Sequence, residues 1–136
     1  MKVKNVDHFL VNPGWGKNLL FVKVTTDNGL VGWGECYTQS DRDKTVVVHI
    51  EHLASYLIGR DPFEIKYFNQ IVFDDYSSRR GSMEIYSALS GIEQALWDKC
   101  GKATNQPVYK LLGGPCRGKL RVYANGWYAG STKTED

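Results

Sequence analysis

The Asn28-Gly29 pair in NLLFVKVTTDNGLVGWGE, residues 18–35, separates two β-rich runs and constrains the fold more than any other local feature. Asn-Gly supplies the two left-handed backbone positions of a type I′ turn, so the runs are expected to fold back as an antiparallel hairpin. With Asn28 and Gly29 as the whole turn, Asp27 faces Leu30, Thr26 faces Val31, Val24 faces Trp33 and Val22 faces Glu35. Val22, Val24, Val31, Trp33 and Glu35 then share one face, and Gly32 and Gly34 show on the other. Alternate glycines on a strand face leave room for another backbone or a bulky side chain. VKNVDHFLV, residues 3–11, is a further expected strand, joined to the hairpin by NPGWGK, residues 12–17. A three-stranded antiparallel meander results.

After the meander the apolar period changes from two to about 3.6. Val46, Ile50, Leu53, Ala54 and Leu57 share the face of a first helix, which Ser40 with Asp43 can open and Gly59 can close. A second starts at DPFE, with Asp61 as cap and Pro62 in the first position, and carries Phe68, Ile71 and Val72. The longest pattern is SMEIYSALSGIEQALWDKCG, in which Gly101 is the expected stop and Ser87, Gly91 and Ala95 form a small-residue stripe. Gly91 costs about 1 kcal/mol relative to Ala inside a helix, so its use points to close packing against a neighbour. A short turn, PVYKLLGG, follows. The fold class is α+β, a meander followed by a helical bundle.

Leu120, Val122 and Ala124 then alternate with Arg121, Tyr123 and Asn125, an expected strand, and Thr132 with Glu135 has the spacing of a helix cap. A strand, loop and helix start open a βα unit that cannot bury its own apolar faces, so the chain is expected to be cut inside a larger fold. The competing expectation is that this strand extends the meander.

Composition excludes several classes. The chain has 136 residues, 42% of them hydrophobic and 24% charged, which suits one globular domain. No apolar run reaches membrane-spanning length and the start lacks a signal-peptide core, so no membrane role and a cytoplasmic location are expected. The net charge of +2 is scattered, so no nucleic-acid partner is expected. Cys36, Cys100 and Cys116 fit neither a disulfide frame nor a zinc knuckle. His49 and His52 bracket Glu51 without an H-E-x-x-H order, and Asp41 with Asp43, like Asp74-Asp75, offers no metal spacing. GWGE has no phosphate-loop spacing.

The order of NGLVGWGE, the helix SALSGIEQALWD, and QPVYKLLGG followed by a strand resembles the N-terminal part of the enolase superfamily, in its mandelate racemase and muconate lactonizing branch. VYANGWY further resembles the first barrel strand of sugar-acid dehydratases of the gluconate and galactonate type. The resemblance implies an N-terminal capping domain over residues 1–113. Residues 114–136 become a linker, the first strand of a truncated TIM-type barrel and the start of its helix. In that family the barrel supplies three carboxylate ligands for Mg²⁺ and the Lys or His acid/base groups, which remove a proton beside a carboxylate. No catalytic or metal residue maps onto this chain, so it is expected to be inert by itself and to bind no cofactor.

The expected substrate is an acid sugar or other carboxylate. The resemblance implies dehydratase, racemase or cycloisomerase chemistry in the longer protein; the alternative is a free-standing α+β interaction module. Two loops are implied to close over the barrel mouth, NPGWGK and CYTQSD, in which Trp15, Lys17 and Tyr37 can stack on or hydrogen-bond a polyol, or serve only as loop surface. Arg79 and Arg80 can fork onto a carboxylate or stand exposed in their loop. Asn125 and Trp127 would lie at the C-terminal end of the barrel strand, where barrel active sites are built. A homo-oligomer is expected, since an unpaired apolar strand invites edge pairing.

Overall fold

A computed structural model of the chain describes residues 1–14, 16–39, 41–76 and 82–124. Three strands, β1 (Val3–Val11), β2 (Leu19–Thr26) and β3 (Val31–Cys36), form one antiparallel sheet in the order β1-β2-β3. Four helices follow: α1 (Asp43–Ala54), α2 (Ile65–Tyr76), α3 (Met83–Thr104) and the single turn α4 (Val108–Leu111). One face of the sheet packs on the helices. Leu20, Val22 and Val24 of β2 meet Val46, Ile50 and Leu53 of α1, Phe68 and Val72 of α2, and Ala88, Ile92, Ala95 and Leu96 of α3 in one core. The meander followed by helices is as expected.

The hairpin register differs from the expected one. Thr25 pairs with Val31, Val24 with Gly32, Lys23 with Trp33 and Val22 with Gly34, one residue from the expected alignment. The turn is longer than two residues, because Gly29 (φ 82°) has a left-handed backbone and Asn28 does not. Gly29 N–H donates to the Thr26 carbonyl at 3.0 Å and Thr26 N–H to the Leu30 carbonyl at 3.0 Å. This is a type I turn followed by a glycine bulge. The buried Thr26 hydroxyl holds it, lying 2.6 Å from Asn28 Oδ1 and 2.9 Å from the Leu30 carbonyl.

A one-residue slip exchanges the two faces. Gly32, Gly34 and Cys36 therefore lie inward with Val22 and Val24, while Trp33 and Glu35 point outward. On the outer face Trp33 packs on Phe9, ring centroids 5.5 Å apart.

The inward glycines let α3 lie directly on β3. A Cβ on Gly34 would overlap the Gly91 carbonyl oxygen and stand 2.9 Å from Ala95 N; one on Gly32 would overlap the Ala95 carbonyl oxygen. A Cβ on Gly91 would in turn run into Cys36 Sγ. Gly91 is thus used for close approach, as its place in the helix implied. Burial pushes the Cys36 thiol up to about 12, so it stays protonated in this seam.

Side chains of α3 also satisfy the outer backbone edge of β3. Lys102 Nζ donates to the Val31 carbonyl (3.1 Å), Asp98 Oδ2 accepts from Trp33 N–H (2.8 Å), and Gln94 pairs with both N–H (3.3 Å) and carbonyl (3.1 Å) of Glu35. Four helical residues rise about 6 Å and two strand residues about 6.6 Å, so the two ladders stay in step. The helix thereby blunts a sheet edge that would otherwise be open to pairing.

Helix boundaries differ from expectation in four places, the first being that α1 ends at Ala54 and residues 55–59, Leu57 and Gly59 among them, follow it as turns. Asp61 Oδ1 accepts from Phe63 N–H at 3.0 Å in a separate turn, and α2 begins only at Ile65. The α1 cap position is Arg42, whose side chain makes no capping bond; Ser40 lies outside the described residues. α3 runs through Gly101 and ends at Asn105, whose φ of 52° is left-handed. Gly101 serves close approach, since a Cβ there would stand 2.8 Å from the Gln106 carbonyl oxygen.

Leu120, Val122 and Ala124, expected as a strand, lie in no strand among the described residues, and the rest of that segment lies outside them. The β3 edge is already occupied by α3 side chains, and a strand needs a neighbour to take its backbone hydrogen bonds. Leu120 and Val122 are 74% and 85% exposed.

Gly34→Ala is expected to lower unfolding stability by about 3 kcal/mol or more, because its Cβ meets backbone and not a movable side chain. Gly118→Ala, with nothing within 4 Å, should stay within about 0.5 kcal/mol of the parent. Urea denaturation of both variants is the check; similar midpoints would contradict the packing.

Candidate functional site

Two connections meet at the end of the sheet, residues 12–18 between β1 and β2 and residues 37–42 between β3 and α1. The strands make them neighbours, since Leu20 pairs with Cys36 and Val11 with Leu19. Lys17 and Tyr37 are brought together, the Lys17 ammonium standing 4.2 Å from the centre of the Tyr37 ring. A cation over an aromatic face at this distance is attracted by the ring's electron density. Tyr37 remains 56% exposed, so its ring still has surface to offer a ligand.

A shallow cleft of about 280 Å³ lies beside this pair, with Cys36, Ser87, Ser90 and Gln94 among its walls. Tyr37 and Ser87 also line a narrow crevice with Arg42, Val46, Met83 and Glu84. The Tyr37 backbone is pinned between them, its carbonyl accepting from Ser87 Oγ at 2.6 Å. Ser87, 6% exposed, therefore serves as an anchor for the loop.

Charges around Tyr37 are unequally satisfied. Arg42 Nη1 lies 3.1 Å from Glu84 Oε1, and Ser82 Oγ donates to Glu84 Oε2 at 2.6 Å. The Ser82 hydrogen bond, then a backbone N–H, then Arg42 hold the Glu84 carboxyl down at about 2. Lys17 has no carboxylate partner among the described residues. Its charge is available to an anionic ligand.

No group of three or more His, Cys, Asp or Glu among the described residues stands close enough to hold a metal ion. The His52 ring meets Tyr56 edge-on at 5.9 Å, and burial lowers the pKa of His49. Glu35 is fixed through its backbone by Gln94, and its side chain points outward.

Of the residues singled out in the sequence, Lys17 and Tyr37 come together; Trp15, Arg79, Arg80, Asn125 and Trp127 lie outside the described residues. Sequence reasoning missed Asn18, Arg42, Asp43 as a buried group, Glu84 and Ser87. Ser87 had a signal in the small-residue stripe, and the Ser82-x-Glu84 start of α3 carried the acid. Nothing local linked either to residue 37.

The profile of the mandelate racemase / muconate lactonizing enzyme N-terminal domain matches residues 15–113. The chain belongs to this family. It is 39% identical over 135 residues to D-galactonate dehydratase of Pectobacterium atrosepticum, covering 99% of this chain and 33% of that protein. Among solved structures, an enolase from Agrobacterium radiobacter with bound Na and L-malate superposes with a TM-score of 0.82 at 36% identity, covering 90% of this chain and 30% of that one. The 3,6-anhydro-D-galactonate cycloisomerase of Zobellia galactanivorans gives 0.76 at 28% identity, covering 84% of this chain and 32% of that one. The meander and helices are thus the N-terminal domain of the mandelate racemase and muconate lactonizing branch, and the chain spans about a third of the length of such relatives.

Glu84 titrates below its ordinary value of 4.5, so the folded state holds fewer protons than the unfolded one between about 4.5 and about 2. The stability contributed by the Arg42–Glu84–Ser82 cluster is complete above that window and lost as pH falls through it. Denaturant titrations across this range should show a shallower decline for Glu84→Gln than for the parent; equal slopes would refute the assignment.

Proposed function

We propose that this chain is the N-terminal substrate-capping part of a longer Mg²⁺-dependent acid-sugar dehydratase. The carrying observation is its alignment with a D-galactonate dehydratase along 99% of its length. In this reading residues 1–113 form the cap, and residues 114–136 form the linker, the first barrel strand and the start of its helix. The exposure of Leu112, Leu120, Val122 and Tyr123 fits a surface that the remainder of such a protein covers.

In this reading the metal and the proton-abstracting groups belong to the part of the longer protein outside this chain. This chain contributes recognition. Lys17 offers an ammonium to a carboxylate or hydroxyl of the sugar acid, and the Tyr37 ring packs on its C–H face. Trp15, Arg79, Arg80, Asn125 and Trp127 complete the proposed set of contact residues, and the longer protein forms a homo-oligomer. The Agrobacterium structure holds L-malate, a small hydroxy acid of the same chemical kind. Similarity to the Zobellia cycloisomerase supports a second reading in which the reaction rearranges the sugar acid without loss of water.

The longer protein, assayed with Mg²⁺ against a panel of acid sugars, should release water and form a 3-deoxy-2-keto acid. The 136-residue chain alone should form none. An isomeric product would favour the cycloisomerase reading, and turnover by the chain alone would overturn the proposal. Lys17→Met should raise KM about tenfold, about 1.4 kcal/mol, with kcat little changed.

A further inference from the structure

Asn18 is tied at three points to three different segments. Its Oδ1 accepts from Asn12 Nδ2 at 2.8 Å, its Nδ2 donates to Asp43 Oδ2 at 2.7 Å, and its backbone carbonyl accepts from the Thr38 hydroxyl. Asn12 Oδ1 in turn accepts from Gly14 N–H at 2.7 Å. One asparagine thus ties the end of β1, the loop after β3 and the first turn of α1 into a single unit.

Asp43 makes this arrangement costly. It is 3% exposed, and Asn18 is the partner of one carboxylate oxygen while the other, Oδ1, is buried with no hydrogen-bond partner among the described residues. A buried half-satisfied carboxylate opposes folding, partly offset by its place in the first turn of α1, where the helix dipole favours an acid. A leucine or alanine at 43 would pack without that penalty but would release Asn18. What the carboxylate achieves is to fix residue 18, next to Lys17, against the first turn of α1, while the Thr38 hydroxyl, next to Tyr37, separately holds the Asn18 carbonyl.

We propose that Asn18 and Asp43 are positioning residues, a half-buried staple that locks residues 12–18 to the first turn of α1 and, together with the Thr38 bond to the Asn18 carbonyl, to the loop before it, and so sets the Lys17–Tyr37 pair. Neither touches the ligand. The functional half of this inference rests on the capping role proposed above; the mechanical half does not.

The test exchanges the two side chains. In the Asn18→Asp/Asp43→Asn variant every hydrogen bond has a donor and an acceptor, because the carboxylate placed at position 18 still accepts from Asn12 and the amide placed at position 43 donates to it. Asn18→Asp alone sets two carboxylates against each other, and Asn18→Ala removes the side-chain ties to Asn12 and Asp43 and leaves only the backbone bond to Thr38.

In the longer protein, both single variants should raise amide hydrogen exchange about tenfold in residues 12–18 and in residues 37–42 together. They should also raise KM for the acid sugar, with kcat within about twofold, and the exchanged pair should restore both. The proposal is overturned if exchange rises in residues 12–18 alone, if the exchanged pair folds but restores neither quantity, or if Tm falls while KM holds. Should the parent turn over no acid sugar, the capping role fails, and the exchange data alone decide the staple.

Discussion

The contact of β3 with α3 is the constraint on which the rest of the structure depends. Two inward glycines on the strand and one on the helix let the two backbones approach directly, and Cys36 Sγ fills the space over Gly91. The cost of glycine in both elements is roughly 1 kcal/mol at each position. It is offset because the helix can then do two things at once. It buries Ala88, Ile92 and Leu96 against the core, and it reaches past the strand to satisfy the outer edge with Gln94, Asp98 and Lys102. A helix held further away would leave those backbone groups to water and the edge open to another chain.

The seam also decides where the candidate site lies. With α3 locked on β3, Ser87 falls at the Tyr37 carbonyl and Glu84 falls opposite Arg42, so the loop after the strand is held at both ends. The loop before β2 is brought alongside by strand pairing and tied to it through Asn18. Lys17 over Tyr37 is the product of these separate constraints. The pair sits where the loops after β1 and β3 meet, at the rim of a domain whose core is apolar.

Much of the fold was legible in the sequence because it rests on local periodicity. The meander, the four helical segments and the need for close approach at Gly32, Gly34 and Gly91 all follow from spacing and residue size. The register was not legible. Asn-Gly serves a two-residue turn as well as a three-residue turn with a glycine bulge, and the choice was made by the buried Thr26 hydroxyl together with the demand that glycines face α3. Similarly, Gly101 read as a helix stop, whereas the left-handed residue is Asn105. At the site, Lys17 and Tyr37 were named, with Trp15, through the loops that the family resemblance implied, but the residues that hold them were not. Asn18 and Asp43 are 25 positions apart, and no local pattern marks an asparagine that answers a buried acid in a distant helix.

The most direct measurement is the set of proton–proton nuclear Overhauser contacts made by the Gly34 α-protons. The account predicts cross-peaks to the backbone of Gly91 and Ala95, with Val22 as the cross-strand neighbour and the Trp33 ring in contact with Phe9. Cross-peaks placing the Trp33 ring against α3, with Gly34 facing solvent, would show the other register and contradict it.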